Sequence, residues 1–414
     1  MLIGSSLDGQ FTVVKQLGEG SYSTVYQGRH QSTLKPVAIK ILDSDISNSD
    51  CAREQTALAT CSPVPGVPQV LATGSVGSCS YLVMELLGPD VYALMKTMGK
   101  LSVRTVILTA LQTLRTVKGI HEQGYLHLDI KPDNVLLKRK KTACQCYLVD
   151  FGLALKYACS GGHYSYHEQG EFRGNAVFAS RHMLRRCAPG RRDDLESLIY
   201  TWAFMANGTL PWVREDRQSL LGNRAALSKV KSNTAPSLVC GILPAQFAEM
   251  LADVGGLAFA ERPNYAYYTN LLIAAAASLN LSLTDLSPWE EVFSTLLSTK
   301  PSLYLSEKLM HRGNSIKSQK PSQITAQHRR STKKRLTKNM DTLGFVRSSK
   351  RHFAMIEKSK SIEPGDLETK EMTFTGRRVE REGTEKREVV ATPVLRSKLR
   401  EMKFGEAAEW AVSQ

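Results

Sequence analysis

The chain has 414 residues, enough for two average domains or for one large domain followed by a tail. Its 42% hydrophobic content suits an ordinary globular core, and its formal charge of +15 gathers at one end, where residues 301–414 hold about 25 Lys and Arg against about 14 Asp and Glu. The eight cysteines are scattered without a C-x-x-C pair, no leader-like apolar segment opens the chain, and no apolar run approaches the roughly 20 residues that span a bilayer; the composition therefore argues for reduced thiols in a cytosolic or nuclear protein and against a membrane protein.

In chain order, residues 11–42 read as strands. Phe11 to Leu17 leads into Gly18-Glu19-Gly20, Thr24 to Arg29 resumes the pattern, and Pro36 to Leu42 is a third β-rich run. A helix is expected near Ser49–Thr60 and a short apolar strand at Ser80–Glu85, which together describe a small β-rich lobe. From residue 90 onward helices dominate. Ser102 is a good N-cap for a long amphipathic helix that stops before Gly124, with Val106, Leu108, Leu111, Leu114, Val117 and Ile120 on its core face. Further helices are expected at about 193–205, ending near Gly208, and at 244–254 and 264–279. After about residue 295 Ser, Thr, Lys, Arg and Glu take over and apolar periodicity fades, so the composition predicts a disordered basic tail.

Four stretches carry chemistry. Leu17 to Val25 is a glycine turn between two strands, which lets backbone approach a phosphate without a Cβ in the way, although such turns are common in hairpins. Lys40 lies inside an apolar strand, and Glu54 follows on the expected helix; a lysine there either meets solvent on a strand face or pairs with that carboxylate. His127 to Leu137, HLDIKPDNVLL, spaces Asp129, Lys131 and Asn134 so that one can accept a proton from a hydroxyl, one can neutralise a phosphoryl group and one can offer an oxygen to a hard cation. Asp150 opens a D-F-G triplet after a short apolar strand and would be the main metal carboxylate. Singly, Asp129 is also a turn former and Asn134 an Asx-turn residue.

Together, in this order and spacing, these motifs resemble a eukaryotic protein kinase over about residues 9–292. The resemblance implies an α+β, two-lobed protein kinase fold, with a β-rich N-lobe over about 9–87, a mainly helical C-lobe over about 88–295, and a tail over 296–414. It implies ATP and Mg²⁺ as cofactors and protein hydroxyls as acceptors; Lys131 two places after Asp129 resembles the Ser/Thr class. It implies Asp129 and Lys131 as catalytic residues and Asn134 and Asp150 as metal ligands. Leu17, Gly18, Gly20, Val25, Ala38, Lys40, Glu54, Glu85, Leu87 and Leu136 would form the ATP site. Ala38 and Leu136 would sandwich adenine, the backbone of Glu85 and Leu87 would bond its edge, Met84 would stand behind it, and Asp194 would hold the His127–Asp129 loop. Met84-Glu-Leu-Leu-Gly-Pro89, Arg191 to Ser197, Gly208 to Trp212 and Phe178 to His182 look like the casein kinase 1 group, which includes the tau-tubulin and vaccinia-related kinases.

Several positions depart from the pattern. Leu128 replaces an arginine that often binds a phosphate on the activation segment, so activity is expected without that phosphate. Val177 and Asn223 fall where casein kinase 1 relatives use cations to hold a phosphate already on the substrate, so a weaker preference for primed substrates is expected. Asn175 replaces a threonine that usually touches the catalytic aspartate and lysine, and Ser23 stands for the third glycine of the turn. These changes leave open a pseudokinase that acts as a scaffold. The run Arg329 to Lys338 suggests nuclear import or nucleic-acid contact. Cys159, His163 and His167 have a spacing that zinc would accept, but no fourth ligand lies near. The chain is expected to act as a monomer in the cytoplasm or nucleus.

Overall fold

A computed structural model describes residues 3–299 apart from 21–22, 44–46, 141–142, 160–161, 167–171, 214–217 and 285–286. The first part is built from β1 (Ser6–Leu7), β2 (Phe11–Glu19), β3 (Ser23–His30), β4 (Pro36–Leu42), α1 (Asn48–Cys61), β5 (Val70–Val76) and β6 (Cys79–Glu85). The six strands form one antiparallel sheet in the order β1-β2-β3-β4-β6-β5.

The period of two along β4 explains how this sheet makes both a core and a site. Val37, Ile39 and Ile41 point to one face and join Leu7, Phe11, Val13, Tyr81 and Val83 in a small apolar cluster. Ala38 and Lys40 alternate with them and so point to the other face. Lys40 pairs in register with Val25 on one side and Leu82 on the other, and Ala38 pairs with Met84. The helix that brings a carboxylate to that face, α1, is capped by Ser47, whose side chain accepts the N–H of Asp50.

The second part contains α2 (Val91–Met98), α3 (Val103–Glu122), β7 (Tyr125–Leu126), a single 3₁₀ turn (Pro132–Asn134), β8 (Val135–Lys140), β9 (Ala143–Leu148), β10 (Leu155–Lys156), β11 (Ala158–Cys159), β12 (Gly162–His163), α4 (Arg181–Leu184), α5 (Arg191–Asn207), α6 (Gln218–Gly222), α7 (Arg224–Asn233), α8 (Pro236–Cys240), α9 (Ala245–Gly256), α10 (Tyr265–Ser278) and α11 (Ser287–Thr299). Helix α3 begins where the sequence predicts, with Ser102 Oγ accepting Thr105 N at 3.2 Å, and it yields to Gly124 at φ 80°. Five of its six expected core residues are buried and Leu111 is half-buried against the same core. Helix α5 is buried on all sides, which its sequence LESLIYTWAFMA allows and an amphipathic surface helix would not. It ends at Gly208, left-handed at φ 77°.

The short apolar strand expected before Asp150 is β9, and it pairs with β8, which the sequence reading does not single out. β5 is not singled out either, nor are the helices α2, α4, α6, α7, α8 and α11, the last running to Thr299, beyond the residue 292 at which the resemblance ends. No helix among the described residues is long and apolar enough to cross a membrane. The expected disorder of the tail and the basic run Arg329 to Lys338 lie outside the described residues.

Candidate active site

Lys40 crosses the cleft between the two parts. Its Nζ donates to Glu54 Oε1 at 2.5 Å and to Asp150 Oδ1 at 2.8 Å. Burial works against the ammonium, but the two carboxylates, Asp150 ahead of Glu54, outweigh it and raise its pKa. One cation shared by two anions leaves them unequal. Lys40 holds Asp150 well below the usual carboxylate range, whereas burial pushes Glu54 up despite Lys40. The Asp150 side chain is 42% exposed and faces the cleft, while that of Glu54 is 7% exposed.

The loop from His127 to Asn134 lies opposite. Lys131 Nζ donates to Asp129 Oδ2 at 2.6 Å. Asn134 Nδ2 donates to the same oxygen at 3.0 Å and to the Asp129 carbonyl at 2.8 Å. The amide nitrogen is thereby committed inward, which leaves the amide oxygen for a cation. Asp129 Oδ2 is doubly occupied, so its Oδ1, beside Gly174, is the atom free to accept a proton. Burial opposes the Lys131 charge, yet Asp129 raises its pKa.

Asp194, at the start of α5, fixes this loop. Its two oxygens accept the N–H groups of His127 at 2.7 Å and Leu128 at 2.8 Å. His121 Nε2 lies 2.9 Å from Asp194 Oδ2, and its Nδ1 lies 2.5 Å from the Tyr265 hydroxyl, so the ring links the two. His127 is set by backbone groups: Nε2 donates to the Val149 carbonyl at 3.1 Å, Nδ1 accepts Asp129 N at 3.3 Å, and burial lowers its pKa toward a neutral ring. That ring packs edge-on against Phe151 at 4.9 Å.

The residues expected to hold a nucleotide lie on β2, β3, β4, α1, β6, β8 and the segments after β2 and β6. Leu17 and Gly18 lie among the last residues of β2, Gly18 pairs with Val25, and Gly20 N donates to Ser23 O at 2.7 Å. A Cβ placed on Gly18 would meet nothing within 4 Å, so the space beside Gly18 is open. Leu87 leads into Gly88, whose N–H donates to the Leu137 carbonyl at 2.8 Å, and Leu136 bridges to Asp90. Two carboxylates, an amide oxygen, the open space beside Gly18 and two lysines fit a magnesium ion with a triphosphate, since Mg²⁺ takes one or two protein carboxylates and completes its shell with phosphate and water.

Some partners were missed from sequence. The Glu85 side chain pairs with Lys138 and accepts Gln69 N at 3.1 Å, tying the connection between the lobes to β8 and to the start of β5. Nothing in a lysine–arginine–lysine run at 138–140 marks the first for that job. His121 and Tyr265 behind Asp194 were likewise seen only as helix residues. Asn175 Oδ1 accepts Val177 N at 2.9 Å, a local turn bond. Val177 is buried, and Asn223 caps α7 by accepting Ala226 N at 3.0 Å. His167 lies outside the described residues, and no group of three or more potential metal-binding His, Cys, Asp or Glu occurs among the described ones. Cys144 and Cys146 are buried, and burial pushes the Cys144 thiol up to about 12, which suits packing better than redox work.

A lysine shared by two carboxylates across a cleft, opposite an Asp–Lys–Asn loop, defines a class of nucleotide-dependent phosphoryl-transfer sites. Residues 11–243 match the protein kinase domain family. A probable serine/threonine-protein kinase of Dictyostelium discoideum is similar, at 32% identity over 295 residues, which cover 69% of this chain and 58% of the relative. The aligned part thus spans little more than half of that relative's length. The chain belongs to the protein kinase domain family.

Proposed function

We propose that this protein is a Ser/Thr protein kinase of the casein kinase 1 kind, active without phosphate on its activation segment. One observation carries the reading: Lys40 bonds both Glu54 and Asp150 in the cleft where Asp129, Lys131 and Asn134 converge. Bound MgATP supplies the phosphoryl group and the cation that neutralises it. The chain's own residues do the rest. Asp150 and the Asn134 oxygen would hold the metal, and Lys40 would steady the phosphates while Glu54 steadies Lys40. Asp129 Oδ1 takes the proton of the incoming hydroxyl, and Lys131 offsets the charge that moves toward it. Open space beside Gly18 gives the phosphates backbone to rest on.

Independence from an activating phosphate rests on Leu128. Its side chain packs against the main core, its backbone is held by Asp194, and an aliphatic group offers nothing to a phosphate. Weak preference for primed substrates rests on Val177 and Asn223, one buried and the other spent on a helix cap. The packing of α9 and α10 on α3 and α5 supports a catalytic unit of residues 9–295 rather than the matched 11–243 alone. Arg329 to Lys338 remains a candidate import or nucleic-acid segment, which a reporter fusion of residues 325–340 tests by its location.

The competing reading is a scaffold with a weakened site, favoured by Asn175 turning to Val177. To decide, phosphatase-treated protein is given labelled ATP, Mg²⁺ and casein, followed by phosphoamino-acid analysis. Phosphoserine and phosphothreonine at the untreated rate are expected. No transfer supports the scaffold, and transfer restored only by phosphate within residues 155–178 overturns the independence.

A further inference from the structure

One buried cation is used by nothing described so far. Lys231 on α7 is 3% exposed. Its ammonium donates to three backbone carbonyls, Ala176 at 3.0 Å, Val177 at 2.9 Å and Ala179 at 2.6 Å. All three of its N–H bonds are thus spent on one short stretch of chain. The rings of Tyr200 and Trp212 cover it at 4.8 and 4.7 Å from their centroids. Trp212 Nε1 adds a second donor to the Val177 carbonyl at 2.9 Å.

Among the described residues Lys231 makes no ion pair. The nearest acid, Glu196, is engaged elsewhere: Oε1 accepts Arg181 N at 2.9 Å and the Tyr200 hydroxyl at 2.6 Å, and Oε2 accepts Arg181 Nε at 3.2 Å. Burial lowers the Lys231 pKa to about 7, with Glu196 acting the other way. Three hydrogen bonds offset that desolvation, and a methionine of similar length would make none of them.

What it holds adjoins the catalytic carboxylate. The stretch begins just after Gly174, where an added Cβ would lie 3.4 Å from Leu128 O and 3.9 Å from Asp129 Oδ1. The stretch held by Lys231 thus begins beside the carboxylate at which an incoming hydroxyl would be received. We infer that Lys231 is a positioning residue, which fixes from behind the backbone wall against which the acceptor peptide lies. The inference rests on the kinase reading above.

The test compares Lys231→Met and Trp212→Phe with wild type, by steady-state kinetics against both substrates and by thermal melting. Lys231→Met is expected to raise the peptide KM at least tenfold and to leave the KM for ATP within about twofold. Trp212→Phe, which removes one of two donors to Val177, should move the peptide KM the same way by a smaller factor. Should Lys231→Met fail to fold, Trp212→Phe decides alone. An unchanged peptide KM, or equal losses toward peptide and ATP, overturns the inference. A wild-type chain that transfers no phosphate from ATP at all overturns the kinase reading instead, and the inference falls with it.

Discussion

Asp194 accepts the backbone N–H of Leu128 at 2.8 Å, and Leu128 is held there at φ 65°, in the left-handed region that branched side chains avoid. The strain persists because the same carboxylate also accepts His127 N and is itself backed by His121. Asp194→Asn puts an amide N–H against a donor. It is expected to lower stability by about 2–4 kcal/mol and kcat by roughly tenfold or more, as denaturant titration and initial rates will show.

Lys40→Met leaves two carboxylates without their cation. Breaking a buried pair typically costs about 3–5 kcal/mol, whereas replacing both partners by apolar groups costs much less. Lys40→Met should therefore be less stable than the double variant Lys40→Met/Glu54→Leu, while both lose phosphate transfer. A double-mutant cycle on unfolding free energies measures the difference.

Asp133 gives a pH dependence of known sign. Burial pushes its pKa up from 3.8 to about 6, with Lys131 opposing and Asp90 adding to the rise. An acid that binds its proton more tightly when folded costs stability above pH 6, and the cost fades as pH falls from 6 toward 4. Asp133→Asn should raise unfolding free energy by up to about 3 kcal/mol at pH 7.5, by about half of that at pH 5, and by little near pH 4.

Gly88 joins the lobes with no room for a side chain. A Cβ there would lie 2.5 Å from the Leu137 carbonyl oxygen, a backbone atom that cannot turn away. Gly88→Ala should lower the melting temperature and, on the kinase reading proposed above, raise the KM for ATP several-fold, because the Gly88–Leu137 hydrogen bond ties the segment after Leu87 to β8.

Much of this site could be read in the sequence because its parts are local. Alternation along Pro36–Leu42 put Lys40 opposite the apolar face, and the Asp129–Lys131–Asn134 spacing fits within one loop and a 3₁₀ turn. Elements decided by tertiary contact were harder to see. β5, VLATGSV, is rich in small residues with a glycine inside, and only pairing with β6 makes it a strand. Helix α11 begins where Ser, Thr and Glu become frequent, and burial of Trp289, Val292 and Phe293 stabilises it. Lys231 sits among Lys229 and Ser232 in what reads as a solvated helix face, and only the fold turns it inward.

The central claim is that Asp129 and Asp150 serve one phosphoryl-transfer reaction. The most direct test is the initial rate of labelled phosphate transfer from ATP to casein at saturating Mg²⁺, for wild type, Asp129→Asn and Asp150→Asn purified side by side. Robust transfer by wild type and losses of at least about 100-fold in each variant are predicted. Equal rates in all three preparations, or none in wild type, would contradict it.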